Sequence, residues 1–134
     1  MKKIAFTLLI DDDDITNIVN QMLLEDLELT DELLIARNGK EALELIERRQ
    51  RSQECLPNLI LLDINMPVMN GFEFLTAFEK LEIEARSSVI IVMLTTSMNP
   101  EDVKIAQETT IGGYLNKPLT ENDLQKVWER FFSD

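Results

Sequence analysis

The chain has 134 residues, with 25 Asp+Glu against 13 Lys+Arg, a formal net charge of −12, no histidine and one cysteine. Its length suits one domain around a single core, and its apolar share of 45% is too high for a disordered chain. The missing histidine excludes His-based catalytic units, His-ligated zinc and phosphohistidine, one cysteine excludes an internal disulfide, and the acidic balance argues against non-specific nucleic-acid binding and anionic membranes.

The first apolar run, Ile4–Ile10, follows Lys2 and Lys3 as a secretory leader would, but Asp11–Asp14 cuts it short and no small-residue cleavage site follows. No run approaches the ~18 apolar residues of a membrane span. We therefore expect a soluble cytoplasmic protein. Ile4–Ile10 reads instead as a first strand. Ile15, Ile18, Val19, Met22, Leu23 and Leu27 then recur at helical spacing, which predicts a helix with that stripe facing a core. Glu32–Ala36 is a second strand. Ala42, Leu43 and Ile46 mark a second helix, closed by Arg48, Arg49 and Arg51 where a helix C-terminus favours cations.

Asn58–Leu62 is a third strand, followed by a third helix through Phe72, Leu75 and Phe78. Val89–Leu94 is a fourth strand. Pro100 suits the first turn of a fourth helix, where its missing N–H costs nothing. Gly113–Leu115 is a short fifth strand. Thr120 opens a fifth helix, with Asp123 as a capping-box partner and Leu124, Val127, Trp128 and Phe131 turned inward. The segments Gln50–Pro57 and Leu81–Ser88 are loops. Apolar strands without period-2 alternation suit burial on both faces. Five alternations with right-handed crossovers predict a doubly wound five-stranded parallel α/β sheet with five flanking helices, one domain over residues 1–134.

Chemistry gathers at the carboxyl ends of these strands: Asp11–Asp14 after the first, Asp63 after the third, Thr95 and Thr96 at the fourth, and Lys117–Pro118 after the fifth. That edge of an open α/β sheet is where ligands bind. Two carboxylates ~4 Å apart repel by ~4 kcal/mol at an effective dielectric of 20, and a divalent cation removes that cost. An all-oxygen donor set favours Mg2+. A lysine and a hydroxyl beside it would receive phosphoryl oxygens, and one carboxylate could become an acyl phosphate. One of Asp13 and Asp14 reads as a helix N-cap. Gly71 reads as a turn residue with unusual backbone angles. Met69 and Trp128 read as packing.

The segments LLIDDDD, LILLDINMPVMNGFEFL, IVMLTTS and GYLNKP resemble the response-regulator receiver domain of two-component signalling, in order and over essentially the whole chain. The resemblance implies a flavodoxin-like sheet of order 2-1-3-4-5. It implies Asp63 as phosphoacceptor and a Mg2+ held by Asp12, Asp63, the Asn65 backbone carbonyl and, through water, Asp11. It also implies that Thr95 and Lys117 contact the phosphoryl group, that Tyr114 reads the switch, and that the Lys117–Pro118 bond is cis. Met66–Pro67 would shape the loop beside Asp63, and Asp13 is a rival metal ligand. A histidine kinase or histidine phosphotransfer protein would be the donor, docking on Ile15, Thr16, Ile18, Val19, Pro118 and Leu119. An unidentified downstream protein would meet the face around strand five, with no direct nucleic-acid or membrane contact and no output domain. Thr96 stands where the family often has Ala or Gly, which implies slow loss of the phosphoryl group.

Asp12-x-Asp14-x-Thr16 also fits the opening motif of haloacid-dehalogenase-type phosphatases, with Asp12 as nucleophile and Asp14 as general acid. That alternative leaves Asp63, its Met-Pro and Gly71 unexplained.

Overall fold

The computed structural model describes residues 3–64, 66, 68–81, 89–95 and 113–132. In chain order the elements are β1 (Ile4–Ile10), α1 (Asp14–Asp26), β2 (Thr30–Ala36), α2 (Gly39–Arg51), β3 (Leu59–Asp63), α3 (Gly71–Glu79), β4 (Ile90–Thr95), β5 (Gly113–Asn116) and α4 (Glu121–Phe131). The expected strands all form, the first with the expected bounds and the others with one or both ends shifted by one or two residues. Four helices stand among the described residues, not five, because the helix expected from Pro100 lies outside them. So do Asn65, Pro67 and Thr96.

The five strands pair in parallel in the order β2-β1-β3-β4-β5. Ile10 is level with Ala36 on one side and Leu62 on the other. One residue further on, Asp11 and Asp63 therefore stand side by side at the ends of their strands. Asp63 is in turn level with Leu94, the residue before Thr95. The chain passes from β2 across β1 to β3, so strand order reverses between β1 and β3, and the acids stand at that crevice.

Both sheet faces are covered. Leu8, Ile10, Ile60, Leu62 and Met93 pack with Ala42 and Ile46 of α2 and Phe74, Leu75 and Phe78 of α3. Leu9, Leu59, Leu61, Val92 and Leu94 pack with Leu24 of α1 and Leu124 and Val127 of α4. Every residue of β3 is buried, which is why its sequence shows no alternation. Burial of each large aliphatic side chain contributes about 1.5–3 kcal/mol. Capping boxes begin α3 (Asn70 with Glu73) and α4 (Thr120 with Asp123). Arg49 does more than complement the α2 dipole: its guanidinium lies 4.2 Å from the Phe6 ring centroid and pairs with Glu32 and Glu54.

Helix α1 departs from expectation. Asn17, Asn20 and Leu24 are its buried residues, while Ile15, Ile18, Val19 and Met22 are 51% to 71% exposed. The apolar period is real, but most of that stripe faces outward. Leu23 and Leu27, at its edge, do pack on the core.

Candidate functional site

Asp11 and Asp63 are buried and Asp12 is exposed, yet one carboxylate oxygen from each lies within 4.8 Å of the others. Lys117 Nζ donates to Asp11 Oδ2 at 2.8 Å and stands 3.1 Å from Asp63 Oδ1. The lysine reaches there from a loop fixed by its own backbone. Its N–H donates to the Thr95 carbonyl at 2.7 Å, and the Lys117–Pro118 peptide is cis, as expected. Thr95 is buried at the end of β4. Tyr114 is half-buried on β5, level with Met93 and packed against the α2–α3 side of the core.

Burial alone would lower the Lys117 pKa. The hydrogen bond to Asp11 and the charges of Asp63 and Asp11 outweigh it and hold the ammonium above its ordinary value. Three carboxylates and one ammonium leave a formal −2. A divalent cation matches that deficit, and the donors are hard oxygens, so these residues fit Mg2+.

Asp13 and Asp14 take other roles. Asp13 is the α1 N-cap, accepting from Ile15 N and the Thr16 hydroxyl. The Thr16 bond is the main reason its carboxyl sits below the ordinary range. Asp14 pairs with Arg37 at 2.9 Å. Neither belongs to the three-carboxylate cluster, so Asp13 loses its claim as a metal ligand, and Asp14 is paired away from Asp12, where the phosphatase plan needs an acid.

Gly71 corrects another expectation, since among the described residues no glycine has a positive φ. A Cβ at Gly71 would lie 2.7 Å from the Asp63 carbonyl oxygen and 2.9 Å from Ile64 Cα. Close approach of backbones, not an unusual turn angle, demands glycine there. The left-handed angle falls instead on Val68, at φ 68°. Met66 is buried, and Met69 packs beside Gly39 and the core, as does Trp128 on the other sheet face.

Sequence reasoning passed over Asn17, whose Nδ2 donates to the Asp11 carbonyl at 2.9 Å. The available signal was the polar stripe Asn17–Asn20–Leu24 running beside the aliphatic one. A groove of about 340 Å³ lies between α1 and the loop after β5, lined by Ile15, Thr16, Val19, Asn20, Lys117, Pro118 and Leu119. Ile18 is outside that lining, and Leu119 is buried at its base.

Comparison with known proteins bears on the family and the fold. Residues 7–129 match the model of the response regulator receiver domain. The chain is 30% identical over 122 residues to the probable methanogenesis regulatory protein FilR2 of Methanothrix harundinacea, covering 91% of this chain and 77% of that protein. It is 32% identical over 121 residues to the response regulator Rcp1 of Synechocystis sp., covering 90% and 81%. A crystal structure of a two component response regulator from Cytophaga hutchinsonii superposes with a TM-score of 0.90 at 29% identity, over 99% of this chain and 100% of that one. The chain belongs to the response regulator receiver domain family of two-component signalling.

Proposed function

We propose that the chain accepts a phosphoryl group on Asp63 from a phosphohistidine of a histidine kinase or histidine phosphotransfer protein. The observation that carries this reading is Lys117 Nζ within 3.1 Å of both buried acids. An ammonium there neutralises charge that develops on a transferring phosphoryl group without having to move far. The Asp63 carboxylate oxygen forms the new bond to phosphorus while the phosphorus–nitrogen bond breaks, and the electron pair returns to the donor's imidazole. Asp12, Asp63, the Asn65 carbonyl and, through water, Asp11 would hold a Mg2+ that would supply further neutralisation of the phosphoryl oxygens. The chain is thus a signalling phosphoacceptor that promotes its own phosphorylation and dephosphorylation, not an enzyme acting on a separate product.

The phosphoryl group brings roughly −1.5 to −2 charges to a buried site. Thr95 then turns to it, Tyr114 follows into the space released, and the surface around β5 and α4 changes its affinity for a downstream protein. The groove beside Ile15, Thr16, Val19 and Pro118 supports docking of the donor, because it opens next to Lys117. The exposed Ile18 adjoins it. Among the described residues no helix is long and apolar enough to cross a membrane, which accords with a cytoplasmic encounter.

Asp63→Asn should abolish incorporation of labelled phosphate from acetyl phosphate and from a kinase, with the fold unchanged by circular dichroism. Label persisting in that variant, or a phosphoryl adduct mapped to Asp12 in the unaltered chain, would favour the phosphatase-like alternative.

A further inference from the structure

We propose that Asn17 is a positioning residue for the divalent cation: its buried amide fixes the peptide joining Asp11 to Asp12 and thereby sets where the Asp12 carboxylate stands. The proposal rests on the Mg2+ reading above. Asn17 is 3% exposed on the inner side of α1. Its Nδ2 donates to the Asp11 carbonyl at 2.9 Å. Its Oδ1 is sealed from solvent and has no hydrogen-bond partner among the described residues. A buried acceptor left unmet carries its whole desolvation penalty. An aliphatic side chain would avoid that penalty, and one of suitable size stands at the next position, Ile18, turned outward. The same change would take the donor from the Asp11 carbonyl, so the unmet Oδ1 offsets what the Nδ2 bond contributes to stability.

The contacts of Asp11 say what the amide does. The Asp11 N–H donates to the Ala36 carbonyl at 3.1 Å. Its Oδ1 accepts from the Asp13 N–H at 2.9 Å, and its Oδ2 from Lys117 at 2.8 Å. These bonds orient the Asp11 side chain and the peptide before it. The peptide after it, which carries Asp12, is held by Asn17 through the Asp11 carbonyl. Asp12 is exposed, and among the described residues its carboxylate makes no hydrogen bond or ion pair of its own. Its place in the three-carboxylate cluster thus depends on the backbone that Asn17 grips. Partners one shell away from a metal commonly tune its affinity 10- to 100-fold.

The test is Mg2+ titration of the whole chain by calorimetry, without any phosphodonor, beside the melting temperature in EDTA. Asn17→Leu should weaken Mg2+ binding by about tenfold or more, while the metal-free melting temperature holds or rises. Asn20→Leu, which removes a buried amide with no bond to Asp11, should leave Mg2+ affinity unchanged. If Asn17→Leu does not fold, Asn17→Ala removes the same donor without added bulk, and its Mg2+ affinity alone is compared with that of Asn20→Ala, which opens a like cavity away from Asp11. The proposal is overturned by unchanged Mg2+ affinity in the Asn17 variant. It is overturned equally by a metal-free melting temperature that falls together with the affinity in Asn17→Leu, or by an equal loss in the matching Asn20 variant. A wild-type chain that binds no Mg2+ would instead overturn the metal reading, and this inference with it.

Discussion

Helices α1 and α4 lie on the same face of the sheet and are built in opposite ways. Helix α4 follows its hydrophobic period inward: Leu124 and Val127 are buried, and Trp128 and Phe131 pack beside them. Helix α1 has an equally clear period, yet its first two turns put Asn17 and Asn20 inside and Ile15, Ile18, Val19 and Met22 outside. An apolar stripe thus shows that one helix face avoids water when something covers it. It does not say whether the cover is the chain's own core or a second molecule. The helix that leads away from the acids is the one that leaves its aliphatic face for others.

This contrast can be broken at several points. The lead-ins to the two helices meet at the Lys117–Asp11 ion pair, so Lys117→Met should have the largest effect. It leaves two buried carboxylates without their cation and should cost about 3–5 kcal/mol in urea unfolding with EDTA present. The pH dependence has a definite sign. The folded-state pKa of Lys117 is raised above its ordinary 10.5. Its contribution is therefore complete below pH 10.5 and fades as the pH climbs from there through the folded value. The gap between wild type and Lys117→Met should shrink across that alkaline window, and a gap that widened would contradict the assignment.

Next comes Leu124→Ala in α4, expected to lose about 2–5 kcal/mol because it opens a cavity in the core. Thr120→Ala should remove the cap that starts α4 at a cost of about 1 kcal/mol. Smallest is Ile18→Ser on the outer side of α1, which should change unfolding free energy by no more than about 0.5 kcal/mol. A loss at Ile18 comparable to that at Leu124 would mean that α1 buries its aliphatic stripe after all.

The strands and their alternation with helices were legible because continuous apolar runs such as Leu59–Leu62 have few other uses in a small acidic chain. The Thr120–Asp123 cap was legible because its chemistry is local. Asp11, Asp63 and Lys117 were legible as a group from the strand ends they follow, and the sheet order brings them together. What stayed hidden depends on which surfaces meet. Nothing local distinguishes an aliphatic stripe that packs from one that waits, so periodicity turns Ile15, Ile18, Val19 and Met22 inward, and only the family resemblance gives Ile15, Ile18 and Val19 a place at the surface. Gly71 looked like a turn glycine because the approach of Ile64 and Asp63 is a tertiary fact, and the positive φ at Val68 runs against the usual preference of β-branched residues.

The contact at Gly71 also fixes a length. Its N–H donates to the Ile64 carbonyl at 2.8 Å, closing the segment between them into a ring that returns to its own starting strand. A residue added within that ring would work against both this bond and the close approach of Gly71 to the strand that carries Asp63. The turn at Ser52–Glu54 is held to the end of α2 by the Glu54 N–H and carboxylate, but it is exposed and borders none of the acids, so it can grow. Variation in chain length should therefore be admitted at one end of β3 and refused at the other, making the stretch from Ile64 to Gly71 a gauge whose size is set by the site it borders.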